Sequence, residues 1–274
     1  MRVREALAAA AARLGAVGDT PRLDAELLMA HALEVSREEM FLNQLDAEAP
    51  ARFESLVLRR LAHEPVAYIT GRRAFWTVEL EVGPGVLIPR ADSETLIEAA
   101  VAHFVDQGPR RILDLGTGPG TLLLAALDQW PGATGIGVDA SEDALAYARR
   151  NGARLGLAGA EFRLGDWDQG LDERFDLILC NPPYVEAGAG LPPEVADWEP
   201  DGALYAGADG LAAYRRLAPA FARLLAPGGI ACLEIGAGQE DMVSALFAAQ
   251  GFTTESRRDL RGIVRCLVLR PDRD

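Results

Sequence analysis

The sequence contains no lysine, so all 27 of its basic residues are arginine. Together with its many alanines this marks genome composition and says nothing of mechanism. It also means that no Gly-x-x-x-x-Gly-Lys phosphate cradle exists. Cysteine is scarce: Cys180, Cys232 and Cys266 are odd in number, widely separated and set in strand-like runs. A disulfide framework and a Cys-x-x-Cys metal site are both excluded, which leaves reduced packing residues. Cys180 adjoins a polar turn, yet no histidine stands in a matching motif, so a buried strand cysteine is favoured over a nucleophile. The three histidines, His31, His63 and His103, fall in separate segments without ligand spacing, and no metal is indicated. No run approaches the roughly 20 apolar residues of a membrane span, and no apolar stretch with a basic flank opens the chain. A soluble, cytoplasmic protein without a membrane partner is expected. Positive charge is in deficit, with a formal net charge of −14. Residues 1–75 hold ten arginines and eleven acids, or −1, which leaves −13 for the remainder. Such a surface repels a phosphate backbone and weighs against direct binding of nucleic acid.

Against these absences, 49% of the 274 residues are hydrophobic, ample for a core, and the length points to two domains. The most informative segment is Asn181-Pro182-Pro183-Tyr184, which follows the apolar run 175–180. That run reads as a buried strand, so the turn sits at a strand's carboxyl end, where open α/β sheets hold their ligands. Each proline fixes its own φ and pushes the preceding residue to an extended conformation. An amide side chain and a backbone carbonyl are thereby held in fixed directions. The Asn181 oxygen and the Pro182 carbonyl can together accept both N–H bonds of one planar NH2 group, with Tyr184 against its face. Asn181, Pro182 and Tyr184 are the expected catalytic residues, and Asn181 to Tyr184 the expected substrate-binding segment.

Upstream, residues 110–115 form a second short apolar run carrying Asp114, followed by Gly116-Thr117-Gly118-Pro119-Gly120 and a helical pattern over 121–130. Glycines between a strand and a helix let backbone approach a ligand closely. The spacing is not Gly-x-Gly-x-x-Gly, which disfavours a nicotinamide dehydrogenase. A strand at 135–139 ends in Asp139, suited to two ribose hydroxyls, or alternatively to the N-terminus of a helix at 141–152. A strand at 160–164 leads to Gly165-Asp166-Trp167, an acid and a ring suited to adenine. Asp114 with the glycine loop, Asp139, and Asp166 with Trp167 thus offer sites for an amino acid, a ribose and an adenine. Asn181 faces the reacting group. This is the layout of S-adenosylmethionine on a doubly wound sheet, and a negative site suits a sulfonium cation.

Residues 1–74 read as short helices forming a small bundle, with turn signals at Gly15, Gly18, Pro21 and Pro50. Pro21 starts one helix, and Ser36 with Glu39 has capping-box form. A hairpin-like linker follows over 75–90, alternating polar and apolar over 75–82. Residues 91–274 alternate strands and helices as a mainly parallel sheet demands, with the runs 252–255 and 263–269 paired antiparallel at its edge.

With the glycine loop and Asn181 to Tyr184 together, the chain resembles the class I methyltransferases. In detail it is similar to the HemK/PrmC family, which methylates a glutamine side chain of peptide-chain release factors. The resemblance extends to Glu64 to Gly71, Phe75-Trp76, Leu87 to Glu94, Glu199-Pro200, Asp209-Gly210-Leu211, Leu233-Glu234-Ile235-Gly236 and Gln239. It implies an α/β fold with a doubly wound, seven-stranded, mainly parallel sheet and an N-terminal all-α bundle that recognises the protein substrate. It also implies transfer from S-adenosylmethionine to the glutamine amide nitrogen of a Gly-Gly-Gln motif, leaving S-adenosylhomocysteine, by a monomer. Two departures from the family stand out: Pro119, expected in the first helical turn, and Ala91-Asp92-Ser93-Glu94 in place of Pro-Asp-Thr-Glu, with Ser93 expected to cap a helix. Arg90 and Glu234 are expected near the cleft, but ion pairing accounts for each equally well and neither is counted in the site. A ribosomal-protein glutamine methyltransferase and a nucleic-acid amino methyltransferase would share the chemistry of Asn181.

Overall fold

A computed structural model describes residues 1–272. The chain divides into two compact units, one of residues 1–72 with 191–198 and the other of residues 73–190 with 199–272.

The first unit is helical. Helices Val3–Leu14, Pro21–Leu33 and Arg52–Leu61 bury Val3, Leu7, Leu14, Leu28, Met29, Phe53 and Val57 in a core of their own. Pro21 occupies the first turn of its helix, where a missing N–H is not needed. Ser36 caps a three-residue helix by accepting from the Glu39 amide. The Arg60 guanidinium is buried and holds Asp24 at 2.9 Å and Glu194, so the segment Leu191–Trp198 belongs to this unit.

A small two-stranded sheet, β1 (Arg72–Phe75) and β2 (Val78–Glu81), belongs to the second unit but for Arg72 and turns at Trp76, whose φ is +52°. The turn interrupts the alternation read over 75–82, so the hairpin begins three residues earlier. The main sheet holds β3 (Arg111–Leu115), β4 (Thr134–Asp139), β5 (Ala160–Leu164), β6 (Phe175–Cys180), β7 (Leu225–Glu234), β8 (Phe252–Arg258) and β9 (Val264–Pro271). Its order is β5-β4-β3-β6-β7-β9-β8, parallel except for β9, which runs antiparallel to both neighbours. This is the doubly wound, seven-stranded sheet expected of the chain.

Alternation along the central strands divides two cores. Leu113, Leu115, Ile178, Cys180 and Leu233 face helices Ala212–Leu224 and Glu240–Ala248, and Ile112, Leu177, Leu179 and Cys232 face the opposite layer. The near-continuous apolar runs of β3 and β6 follow from burial on both faces. From β3 the chain winds outward to β5, then returns to β6 on the other side of β3. That reversal opens a crevice beyond the carboxyl ends of β3 and β6. The helix read over 141–152 runs on as Glu142–Leu155, capped by Ser141 and ended by Gly156 at φ +70°. Gly152 does not stop it, because its role is close packing: a Cβ there would lie 3.3 Å from the Phe162 ring.

Candidate active site

In the crevice lies a cavity of about 410 Å3, within the range of small-molecule sites. Register brings its walls together. Leu115 pairs with Cys180, so the glycine loop after β3 and the proline turn after β6 leave the sheet side by side. Asp114, Gly116, Thr117, Gly118 and Pro119 line the cavity from the loop, and Asp139, Asp166 and Trp167 from the next two strand ends. Asn181 and Pro183 line it from the turn. Gly120, Pro182 and Tyr184 are not among the lining residues.

The loop is held by its own backbone. The Gly116 and Thr117 amides donate to the Val138 carbonyl at 2.9 and 3.0 Å, and the Gly118 amide donates to Asp139 Oδ2 at 2.8 Å. Gly116, Gly118 and Gly120 all have positive φ, the left-handed region that side chains disfavour. Pro119 lies before the helix and not in its first turn, because Gly120 at φ +89° is the cap of Thr121–Gln129. Its carbonyl instead accepts from Asn151 Nδ2 at 2.9 Å.

Asp114 sits on the sheet face that helix Thr121–Gln129 covers and is fully buried. One carboxylate oxygen accepts from the Thr117 hydroxyl at 2.6 Å and the Leu123 amide at 3.1 Å. The other, Oδ1, has no partner among the described residues. Burial pushes the Asp114 pKa up to about 7. Asp139, also raised by burial, accepts from the Ser141 amide at 2.9 Å as well as from Gly118, so it ties the loop to the start of the next helix. Trp167 turns through φ +55°, and its ring would lie 3.4 Å from a Cβ on Gly116.

Asn181 is half-buried, and its Nδ2 donates to Ser93 Oγ at 3.1 Å. The Ser93 hydroxyl donates to Glu234 Oε2. Ser93 therefore does not cap helix Glu94–His103; it lies in the turn Ala91–Ser93, with its hydroxyl taken by the acid at the end of β7. Glu234 Oε1 accepts from the Tyr184 hydroxyl at 3.2 Å, and burial pushes the Glu234 pKa up to about 7. Burial and this acid also raise the Tyr184 pKa, which keeps its hydroxyl protonated as a donor. Gln239 Nε2 donates to the Tyr184 carbonyl at 3.1 Å. Neither Asn181 Oδ1 nor the Pro182 carbonyl accepts a hydrogen bond among the described residues. Burial, with Asp114 and Glu234 nearby, pushes the Cys180 thiol up, and all three cysteines are free and buried. No cluster able to hold a metal ion occurs among the described residues.

Two charged residues outside the expected set, Arg90 and Glu234, bear on this site. Arg90 lines the cavity and is held by buried Glu199, which also accepts from the Ile88 amide at 3.1 Å. Glu234 lies behind Asn181. The signal for both was their occurrence inside family-like segments, but ion pairing accounted for them equally well.

Comparison with known proteins matches the family model "PrmC N-terminal domain" to residues 5–71 and the model "Methyltransferase domain" to residues 108–251. A release factor glutamine methyltransferase of Caulobacter vibrioides is 44% identical over 242 residues, covering 86% of this chain and 84% of its own. One from Mycolicibacterium smegmatis is 44% identical over 273 residues, with 95% of each chain covered. Among solved structures, a T. thermophilus 16S rRNA methyltransferase in complex with AdoMet and guanosine has a similar fold. It superposes with a TM-score of 0.54 at 22% identity, over 74% of this chain and 50% of its own.

Proposed function

The chain belongs to the release factor glutamine methyltransferase family, and from that premise we propose that its cavity binds S-adenosylmethionine and presents Asn181 to the side-chain amide of a release-factor glutamine. The observation that carries the reading is the pair of free acceptors, Asn181 Oδ1 and the Pro182 carbonyl, on a turn stiffened by two prolines. An NH2 group needs two acceptors in one plane, and this turn supplies two.

The residues present fit the cofactor. Buried Asp114 Oδ1 lacks a partner among the described residues, and a cationic amino-acid group would provide one. The positive-φ glycines leave the loop backbone open to close approach. Asp139 retains lone pairs for ribose hydroxyls, and Asp166 with Trp167 offers an acceptor and a ring for adenine. When bound, S-adenosylmethionine supplies an electrophilic methyl group on a sulfonium. The protein's part is to orient the nucleophile and exclude water. An amide nitrogen is a weak nucleophile because its lone pair is delocalised. Positive charge growing on it strengthens the bonds that its hydrogens make to Asn181 and Pro182, so both bonds stabilise the transition state more than the ground state. Tyr184 holds the turn from behind through Glu234.

The Gly-Gly-Gln glutamine is the proposed acceptor, and the helical unit the part that recognises the release factor. Action as a monomer is part of the proposal, and three free cysteines support the cytoplasm as its compartment. The test is labelled methyl transfer to a release factor with an intact Gly-Gly-Gln loop, beside its Gln→Ala form, a ribosomal-protein mixture and duplex DNA. Label confined to that glutamine is expected; label on DNA or a ribosomal protein overturns the substrate. Asn181→Ala should lower kcat by about a hundredfold or more with cofactor affinity retained, from loss of one oriented polar group.

A further inference from the structure

Resting on that reading, we infer that Ser93 and Glu234 are a positioning pair, which fixes the Asn181 amide with its oxygen toward the substrate. A side-chain amide is nearly two-fold in shape, and its two ends differ only in what they donate or accept. Turned the wrong way, Asn181 would set an NH2 group against the substrate's NH2, donor against donor. Packing alone does not decide between the two orientations, because oxygen and NH2 are close in size.

The structure decides between them with one proton. An ionised carboxylate only accepts hydrogen bonds. Glu234, the last residue of β7, is buried and receives the hydroxyls of Ser93 and Tyr184 on its two oxygens. Ser93 has a single hydroxyl hydrogen, and Glu234 takes it. Toward Asn181, 3.1 Å away, Ser93 therefore presents lone pairs alone. The end of Asn181 that meets Ser93 must be the donor, so the end that remains is the acceptor. Ser93 is buried in the turn before helix Glu94–His103, and its hydroxyl is not diverted to capping that helix. The three residues come from separate strands and turns, 88 and 141 positions apart in the chain. No local structural need accounts for the contact, whereas the polarity of Asn181 does.

The test is a double-mutant cycle on the full chain, read as single-turnover methyl transfer to a release factor at saturating cofactor. Ser93→Ala should lower kcat about tenfold, near the upper worth of a neutral hydrogen bond. The KM for release factor and the cofactor Kd should stay within about threefold. Ser93→Thr, which keeps the hydroxyl, should restore most of the lost rate. In an Asn181→Ala background, Ser93→Ala should change the residual rate by less than about twofold, since the residue through which it acts is gone. An equal loss in both backgrounds overturns the inference, as does a wild-type kcat for Ser93→Ala. Retention of the wild-type rate by Asn181→Ala alone is a different result, and it sinks the functional reading itself. Cofactor affinity near wild type in each variant shows that the variant has folded.

Discussion

At the scale of single residues, the site depends on protonation states that burial sets. Only when ionised is Glu234 restricted to accepting the Ser93 hydrogen, and burial raises its pKa to about 7. The groups facing it are Ser93 and Tyr184 through hydrogen bonds, Arg265, which favours its ionised form, and Asp92, which opposes it. Asp92 and Arg265 are themselves paired at 3.1 Å. Buried Cys180 and Cys266 lie near enough for Glu234 to raise their thiols, and both stay neutral. As pH falls through about 7, Glu234 gains a proton and can donate to Ser93 as well as accept from it. The Ser93 hydrogen is then free to turn toward Asn181 and reverse its amide. At saturating cofactor, kcat should therefore be full above pH 7 and fall on the acid side, and Glu234→Gln should abolish that limb. Asp114, also near 7, borders the cofactor region, so its titration belongs to the cofactor Kd. A kcat that is flat from pH 6 to 8 would remove Glu234 from this role.

At the scale of elements, three glycines and two strand ends decide where the cavity lies. Gly137 in β4 shows how closely they are set: a Cβ there would lie 2.8 Å from Thr117 Oγ1 and 3.0 Å from the Phe162 ring. Thr117 is the residue whose hydroxyl holds Asp114. Gly137→Ala should cost about 1–3 kcal/mol of stability by overpacking. By moving Thr117 it should weaken cofactor binding about tenfold, or about 1.4 kcal/mol. Calorimetric titration beside thermal melting checks both; a lower Tm with unchanged Kd would show that the loop absorbs the methyl group. This close packing explains what was legible beforehand. Strand ends, the glycine loop and the proline turn were readable because apolar runs, glycines and prolines act locally, on the residues beside them. Pro119 lies two residues before the helix and not in its first turn because Gly120 takes the cap, a choice of backbone conformation that composition does not reveal. Ser93 was misread as a cap because its real partner, Glu234, is 141 residues away. The helix read over 141–152 runs on to Leu155 because Gly152 admits a neighbouring ring and Gly156 takes the left-handed cap.

At the scale of the whole molecule, the chain passes between the two units more than once, in a way that no local pattern announced. All residues lining the cavity belong to the unit of residues 73–190 and 199–272. Residues 191–198, which begin seven positions beyond Tyr184, belong to the helical unit, where buried Arg60 holds Glu194 together with Asp24. Arg60→Ala would leave Asp24 buried without its cation, a loss of about 3–5 kcal/mol for a broken buried pair. It would also release Glu194 and the segment that carries it. If the helical unit recognises the release factor and the other unit performs the chemistry, the two readouts should separate. The cofactor Kd should stay within about twofold, and limited proteolysis should find new cleavage in 191–198. The kcat/KM for release factor should fall about tenfold or more, equivalent to about 1.4 kcal/mol of lost recognition, with most of the change in KM. A fall in cofactor affinity of the same size would show instead that the helical unit supports the cavity, and recognition would then have to be sought among the loops that border Asn181.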